Sequence, residues 1–485
     1  MKMSTETVTQ AGVAEGGSPR LKLGALTALV VGSMIGGGIF SLPQNMAAGA
    51  GAGAILIGWA ITFVGMLALA FVFQMLASRK PEVSGGVYGY AKEGFGDYMG
   101  FNSAWGYWIS AWIGNVSYFV VMFSALGFWI PAFGDGNTPT AIICASVVLW
   151  CLHFLVLRGV HGAAFINTVT TVAKLVPLAL FIVLIIFAFK VDTFNLDFWG
   201  NAKLGTIVDQ VKSTMLVTVW VFIGIEGASM FSGRAESMKD VGKATVIGFL
   251  LTIALLVAVS VLSLGVMTQP ELAALKNPST AYVLQKAFGT FGANLMNAGL
   301  VISVGGALLA WTLLAAEAPY LAGKDGVMPK VFGTLNANET PAASLWLTNG
   351  LIQLFLLITL KSSAGYLALL SLATSMILIP YLLCAGYSLL VAKRGEGYAQ
   401  GESTAKEFWT AALATVYGAW LIYAAGPKYL FLSMVLYAPG LLFYLWAKKE
   451  QGRKPFNLIE AVLAAIVVVL AVIAVYMLAV GQIGL

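Results

Sequence analysis

The chain has 485 residues, 59% of them hydrophobic and 10% charged, with a net charge of +6. Soluble domains carry about 25% charged residues, so this composition cannot cover a globular surface in water. The basic excess is scattered between apolar runs and excludes a nucleic-acid footprint, and the polar first 20 residues give no cleaved signal peptide.

The apolar runs are about 20 residues long, enough to cross a bilayer as helices. They predict an all-α polytopic membrane protein in contact with the lipid bilayer, with spans near 24–47, 53–77, 101–130, 139–157, 163–189, 210–233, 243–268, 291–322, 344–361, 365–392, 407–425, 428–447 and 457–479. That is thirteen spans, or twelve if the closely spaced last three are two. With the N-terminus cytoplasmic, nineteen Lys and Arg fall on the inside and seven outside, leaving only Lys174 within a span. The bias follows the positive-inside rule.

In chain order, the first span carries GSMIGGGIF (32–40), where Gly32, Gly36, Gly37 and Gly38 each weaken a helix by about 1 kcal/mol. A broken helix is expected there. SRKPEVSGGVYGYAKEGFGDY (78–98) suits an interfacial or gating segment and equally a plain loop. Trp105, Trp108 and Trp112 suit an interfacial belt. Cys144, Cys151 and Cys384 are expected as small buried hydrophobes, the first two too far apart for a disulfide.

Ionisable groups deep in a bilayer are functional candidates, and there are three: Lys174, Glu226 and Glu317. Lys174 fits either a proton carrier or a structural ion pair with one of the glutamates. Glu226 sits in GIEGAS (224–229), a second glycine-flanked break five spans after the first. An odd spacing is the mark of inverted repeats with paired broken helices, with close helix packing as the rival explanation. Glu317 lies toward the cytoplasmic end of its span, six residues after Trp311, a tryptophan too deep for the belt and able to face a cation. No nucleotide loop, metal-ligand spacing or catalytic pair is present, so no cofactor and no metal are expected, and the chain does not read as an enzyme.

Five motifs in order, GSMIGGGIFSLP, PEVSGGVYGYA, AWIGN, VWVFIGIEGAS and AWTLLAAEAPYLAGKDGVMP, resemble the amino acid–polyamine–organocation superfamily. They are most similar to its basic amino acid/polyamine antiporters, the arginine/ornithine and arginine/agmatine exchangers. The resemblance implies a five-plus-five inverted repeat with spans 1 and 6 unwound around the substrate. Residues 1–22 would be a cytoplasmic tail, 23–190 and 205–395 the two repeats, and 405–480 additional helices.

It further implies that Met34, Gly36, Gly37 and Gly38 cradle a substrate carboxylate, that Trp220 and Ile223 receive the α-amino group, and that Glu226 gates. Asn115, with Ser110 and Ala111 one turn away, would face a guanidinium on which Trp311 stacks. Gly37 stands where relatives often carry serine, and Glu317 where they carry glutamine. Lys174 and Glu317, with Glu226, are the gating or proton-coupling candidates. The expected function is antiport of arginine for ornithine, or of a related basic amino acid or amine, in a bacterial inner membrane. The alternatives are a proton-coupled symporter using Lys174 and, less favoured, a sensor that binds without transport. A homodimer is left open.

Overall fold

The computed structural model describes residues 22–83, 85–159, 163–226, 238–361 and 365–484; His161 and positions 227–229 of the second glycine-flanked motif lie outside them. Among the described residues every regular element is helical. The first span begins as α1 (Leu23–Met34), loses helical geometry at Ile35, and resumes through a 3₁₀ turn at Gly38–Ser41 into α2 (Leu42–Ala47). Its axis bends there by 44°.

Then follow α3 (Ala52–Arg79), α4 (Val87–Phe95), α5 (Asp97–Leu126), α6 (Pro139–Leu157), α7 (Ala163–Ala188), α8 (Val191–Asn195) and α9 (Ile207–Trp220). The second half holds α10 (Met238–Ser263), α11 (Gln269–Ala273), α12 (Ser279–Lys324), α13 (Ala342–Thr359), α14 (Tyr366–Arg394), α15 (Ala405–Tyr437), α16 (Gly440–Glu450) and α17 (Leu458–Ala479). Local chemistry sets several starts. Thr206 with Asp209 and Asn457 with Glu460 form capping boxes at α9 and α17, and Thr138 caps α6 ahead of Pro139.

Among the described residues nine helices are long and apolar enough to cross a membrane, and the bent first pair makes ten. Three of the thirteen expected spans do not enter this count of the described residues. Expected spans eleven and twelve run on as one 46-residue stretch, Ala405–Glu450, kinked at Gly426 before Pro427 and interrupted again at Ala438 and Pro439, between α15 and α16. The fifth counts only as a shorter apolar helix, Lys174–Ala188, and α9 leads from Trp220 toward residues outside the description.

Segments expected on the same side of the membrane meet in space. At one end Arg79 pairs with Glu402 at 2.6 Å, Lys80 with Glu396 at 2.6 Å, and Lys448 with Asp97 at 2.5 Å. At the other end Lys276 pairs with Asp135 at 2.8 Å, and Gly53 N donates to Phe198 O at 2.8 Å. The first group is called the basic end below.

Two expectations change. The segment 78–98 is not a plain loop: α4 buries Val87, Tyr88 and Ala91 and leaves Glu93 exposed, an amphipathic helix laid across the basic end. Trp105, Trp108 and Trp112 are core, not belt. All three are at most 4% exposed, their rings packed in series 4.9 and 6.4 Å apart, with Trp108 Nε1 donating to Thr348 Oγ1 at 2.9 Å. The belt expectation failed because α5 runs through the middle of the bundle, so every face of it meets another helix. Of the cysteines only Cys384 is buried; Cys144 is half-buried and Cys151 exposed on the outer face of α6.

Candidate functional site

The glycines of the first span take Gly36, Gly37 and Gly38 out of the helical ladder between Ile35 N, which reaches Val31 O, and Phe40 N, which reaches Gly37 O. Close approach explains why they are glycines. A Cβ would lie 2.5 Å from the Tyr118 hydroxyl at Gly36, 2.8 Å from Val304 Cγ2 at Gly37, and 2.8 Å from the Trp220 indole at Gly38.

The carbonyls left at the end of α1 are taken by Lys174. Its ammonium is buried and donates to Gly32 O at 2.7 Å and to Ile35 O. A cation at the negative end of a half-helix is favourable, and the ammonium has three donors to share. Neither glutamate is its hydrogen-bond or ion-pair partner among the described residues, so of the two roles left open for Lys174 the carboxylate ion pair is replaced by a cap on carbonyls.

The second break follows Trp220, the last residue of α9, in a run of turns from Val221 to Glu226. Gly224 has φ +108°, a conformation that side chains rarely adopt. Ser33 Oγ donates to Gly224 O at 3.1 Å, and a Cβ on Gly224 would meet Ser33 O at 2.6 Å. The two breaks are therefore in direct contact.

Beside them lies a narrow cavity of about 20 Å³. Met34, Gly36 and Gly38 form one side of it, Ser110 and Ala111 of α5 another, with Trp220, Ile223 and Trp311 closing it. Gly37 is off the wall, backed onto Val304 and Tyr118. Asn115 follows the wall residue Gly114; it is fully buried and neither side-chain atom has a partner among the described residues.

Glu226 and Glu317 line a different space, a vestibule of about 550 Å³ that begins at Lys80 and Pro81 on the basic end. Glu226 is buried at its inner end and accepts from Tyr381 Oη at 2.7 Å, Tyr107 Oη at 3.1 Å and Gly224 N at 3.1 Å. Glu317 is half-buried, with no hydrogen-bond or ion-pair partner among the described residues. The two spaces lie end to end. Tyr107 precedes Ser110 on α5, and Leu314 follows Trp311 on α12, so about one helical turn, roughly 5 Å, separates them.

Four tyrosines complete the site and were not anticipated. Tyr118 faces the glycine break, Tyr366 Oη accepts from Trp220 Nε1 at 3.3 Å, and Tyr107 and Tyr381 hold Glu226. Tyr118 had a signal, lying on the motif helix three residues after Asn115. The others had none, because hydroxyls on apolar helices look like any aromatic core residue.

The sequence model of the amino acid permease family matches residues 21–427. An arginine/ornithine antiporter of Pseudomonas aeruginosa is 60% identical over 468 residues, which cover 95% of this chain and 97% of that protein. A putative arginine/ornithine antiporter of Escherichia coli is 48% identical over 465 residues, 95% of this chain and 99% of its own. An arginine/agmatine antiporter of Chlamydia felis is 43% identical over 487 residues, 98% of this chain and 100% of its own. With one family model spanning most of its length and relatives matched nearly end to end, this multi-pass chain belongs to the amino acid permease family.

Proposed function

We propose that this chain exchanges arginine for ornithine by alternating access across a bacterial inner membrane, with its N-terminus cytoplasmic and the basic end inside. The observation that carries the reading is the contact between two helix breaks beside a cavity with Gly36 and Gly38 on one side and Trp311 on another. The names of the relatives support the substrate pair.

In this reading the amides of Gly36 and Gly38, on the cavity wall, hold the substrate carboxylate, and backbone carbonyls at Trp220 and Ile223 take the α-amino group. The guanidinium lies on Trp311, an attraction of about 2 kcal/mol in a desolvated pocket. Asn115, with a buried amide that lacks a partner among the described residues, supplies the guanidinium with an acceptor. Lys174 keeps α1 in place by capping its end. Glu226 and its tyrosines form the door between cavity and vestibule, and Glu317 receives the cationic side chain beyond it.

The substrate leaves chemically unchanged, so no catalytic residue is assigned, and one chain supplies the whole site. The symport alternative gives Lys174 a shuttle role; its two bonds to helix carbonyls support a cap instead. Counterflow tests the choice. Labelled arginine should enter proteoliposomes preloaded with ornithine and not empty ones. Equal uptake into empty vesicles under a proton gradient would overturn exchange, and binding without any flux would point to a sensor.

A further inference from the structure

A third cavity, of about 680 Å³, lies at the basic end between the last turns of α3, the first turns of α10 and the start of α15. Its floor is the contact of α3 with α10, where a Cβ on Gly242 would sit 2.3 Å from Gln74 Nε2. Phe71 and Val72 of α3 and Val246 and Ile247 of α10 make the sides apolar, and Lys243 and Lys406 stand on its wall. Phe71 and Ile247 are 36% and 41% exposed among the described residues.

The two lysines differ from their basic neighbours. Arg79 is neutralised by Glu402 and Glu407, and Lys80 by Glu396. Lys243 and Lys406 have no acid partner among the described residues. Glu407 also lines the cavity, with its Oε1 held 3.3 Å from Arg79 Nη2. A groove between membrane-spanning helices that is apolar along its sides and bears two free cations complements a lipid with a negative head group. We propose that one anionic glycerophospholipid seats its phosphate between Lys243 and Lys406 and lays an acyl chain along Val72 and Ile247.

The site bears on the transport cycle because α10 has two working faces. On the other face Val241 and Ala244 pack on Leu26 of α1, and Gly248 lies so close to Val30 that a Cβ would meet its Cγ1 at 2.6 Å. A lipid in the groove holds α10 from behind against the first half of the broken helix.

The test uses the full chain in nanodiscs of equimolar phosphatidylcholine and phosphatidylglycerol, extracted gently and read by native mass spectrometry. Wild type should retain one phosphatidylglycerol in preference to phosphatidylcholine. Lys243→Gln with Lys406→Gln should cut that preference more than tenfold, at about fivefold per lysine, and Lys243→Arg with Lys406→Arg should keep it. Ile247→Trp, which fills the groove without touching the charge, should also lower retention. Arginine counterflow in pure phosphatidylcholine vesicles checks that the variants fold. Equal retention of both lipids by wild type, or undiminished preference in the glutamine variant, would overturn the proposal.

Discussion

Removal of the Lys174 ammonium separates a structural cap from a proton carrier. Lys174→Met keeps the length and apolar stem of the side chain and deletes the donors to Gly32 O and Ile35 O. Each carbonyl then lies in the membrane interior without its partner, a cost of about 1–3 kcal/mol apiece. Loss of the cation at the end of α1 adds up to about 2 kcal/mol. The middle of that range, about 5 kcal/mol, changes the balance between an ordered and an open break by more than a thousandfold at about 1.4 kcal/mol per decade. Ornithine-dependent arginine uptake should therefore fall at least a hundredfold, with a lower melting temperature in detergent. Lys174→Gln, able to serve one carbonyl, should fall between. Counterflow within twofold of wild type and an unchanged melting temperature would refute the cap. Loss of proton-driven uptake alone, with counterflow intact, would instead make Lys174 a shuttle.

Trp311→Leu should weaken arginine binding about thirtyfold, the equivalent of about 2 kcal/mol, and leave the neutral isostere citrulline nearly unaffected; calorimetry showing equal losses would reduce the tryptophan to packing. Gly37→Ser should raise the KM for arginine, because the new Cβ lies 2.8 Å from Val304 Cγ2 and overpacking costs about 1–3 kcal/mol. Adding Val304→Ala should restore it, and no rescue would mean that the serine acts on substrate directly. At the basic end, the hydrogen bond from Lys80 holds the Glu396 carboxyl below its usual range. A lowered folded-state value stabilises above the ordinary value of about 4.3 and is lost as pH falls through the lowered one. Melting temperature should be flat from about pH 7 to 5 and drop below about pH 4, and Glu396→Gln should shrink that drop; an identical acid limb in both proteins would refute the assignment.

How much of this was legible in the chain depended on whether a residue type betrays its surroundings. Glycine does so in an apolar run, since nothing else explains four of them between Gly32 and Gly38, and the break was readable at once. A lysine at mid-span is equally conspicuous, but its partners were not: backbone carbonyls leave no trace in a sequence, so an acidic partner stood among the readings of Lys174, and none is found among the described residues. Trp105 and Trp108 were misplaced because residue type alone cannot tell the rim of a bundle from its centre. Tyr107 and Tyr381 come from α5 and α14, 274 positions apart by number, and only the fold brings both hydroxyls to one carboxylate. Glu226 and Trp311 looked like one site, yet a single helical turn puts them in adjoining spaces.

That separation bears on why the passenger should be cationic. Toward the end opposite the vestibule, Trp220 is held by Tyr366 and packs 5.8 Å from the Tyr118 ring. Toward the basic end, what lies between cavity and vestibule is the set of bonds from Tyr107, Tyr381 and the Gly224 amide to Glu226. A hydroxyl donates one hydrogen to the carboxylate, whereas a guanidinium offers five donors and full charge. In the proposed exchange, a substrate bearing that group would replace the tyrosines on Glu226 as it moves one turn down α5, and so take over the bonds of the proposed door. A neutral amino acid has nothing to exchange for them. On this argument Glu226→Gln should slow arginine exchange far more than it weakens arginine binding, because the amide keeps the tyrosines but no longer rewards the cation for displacing them.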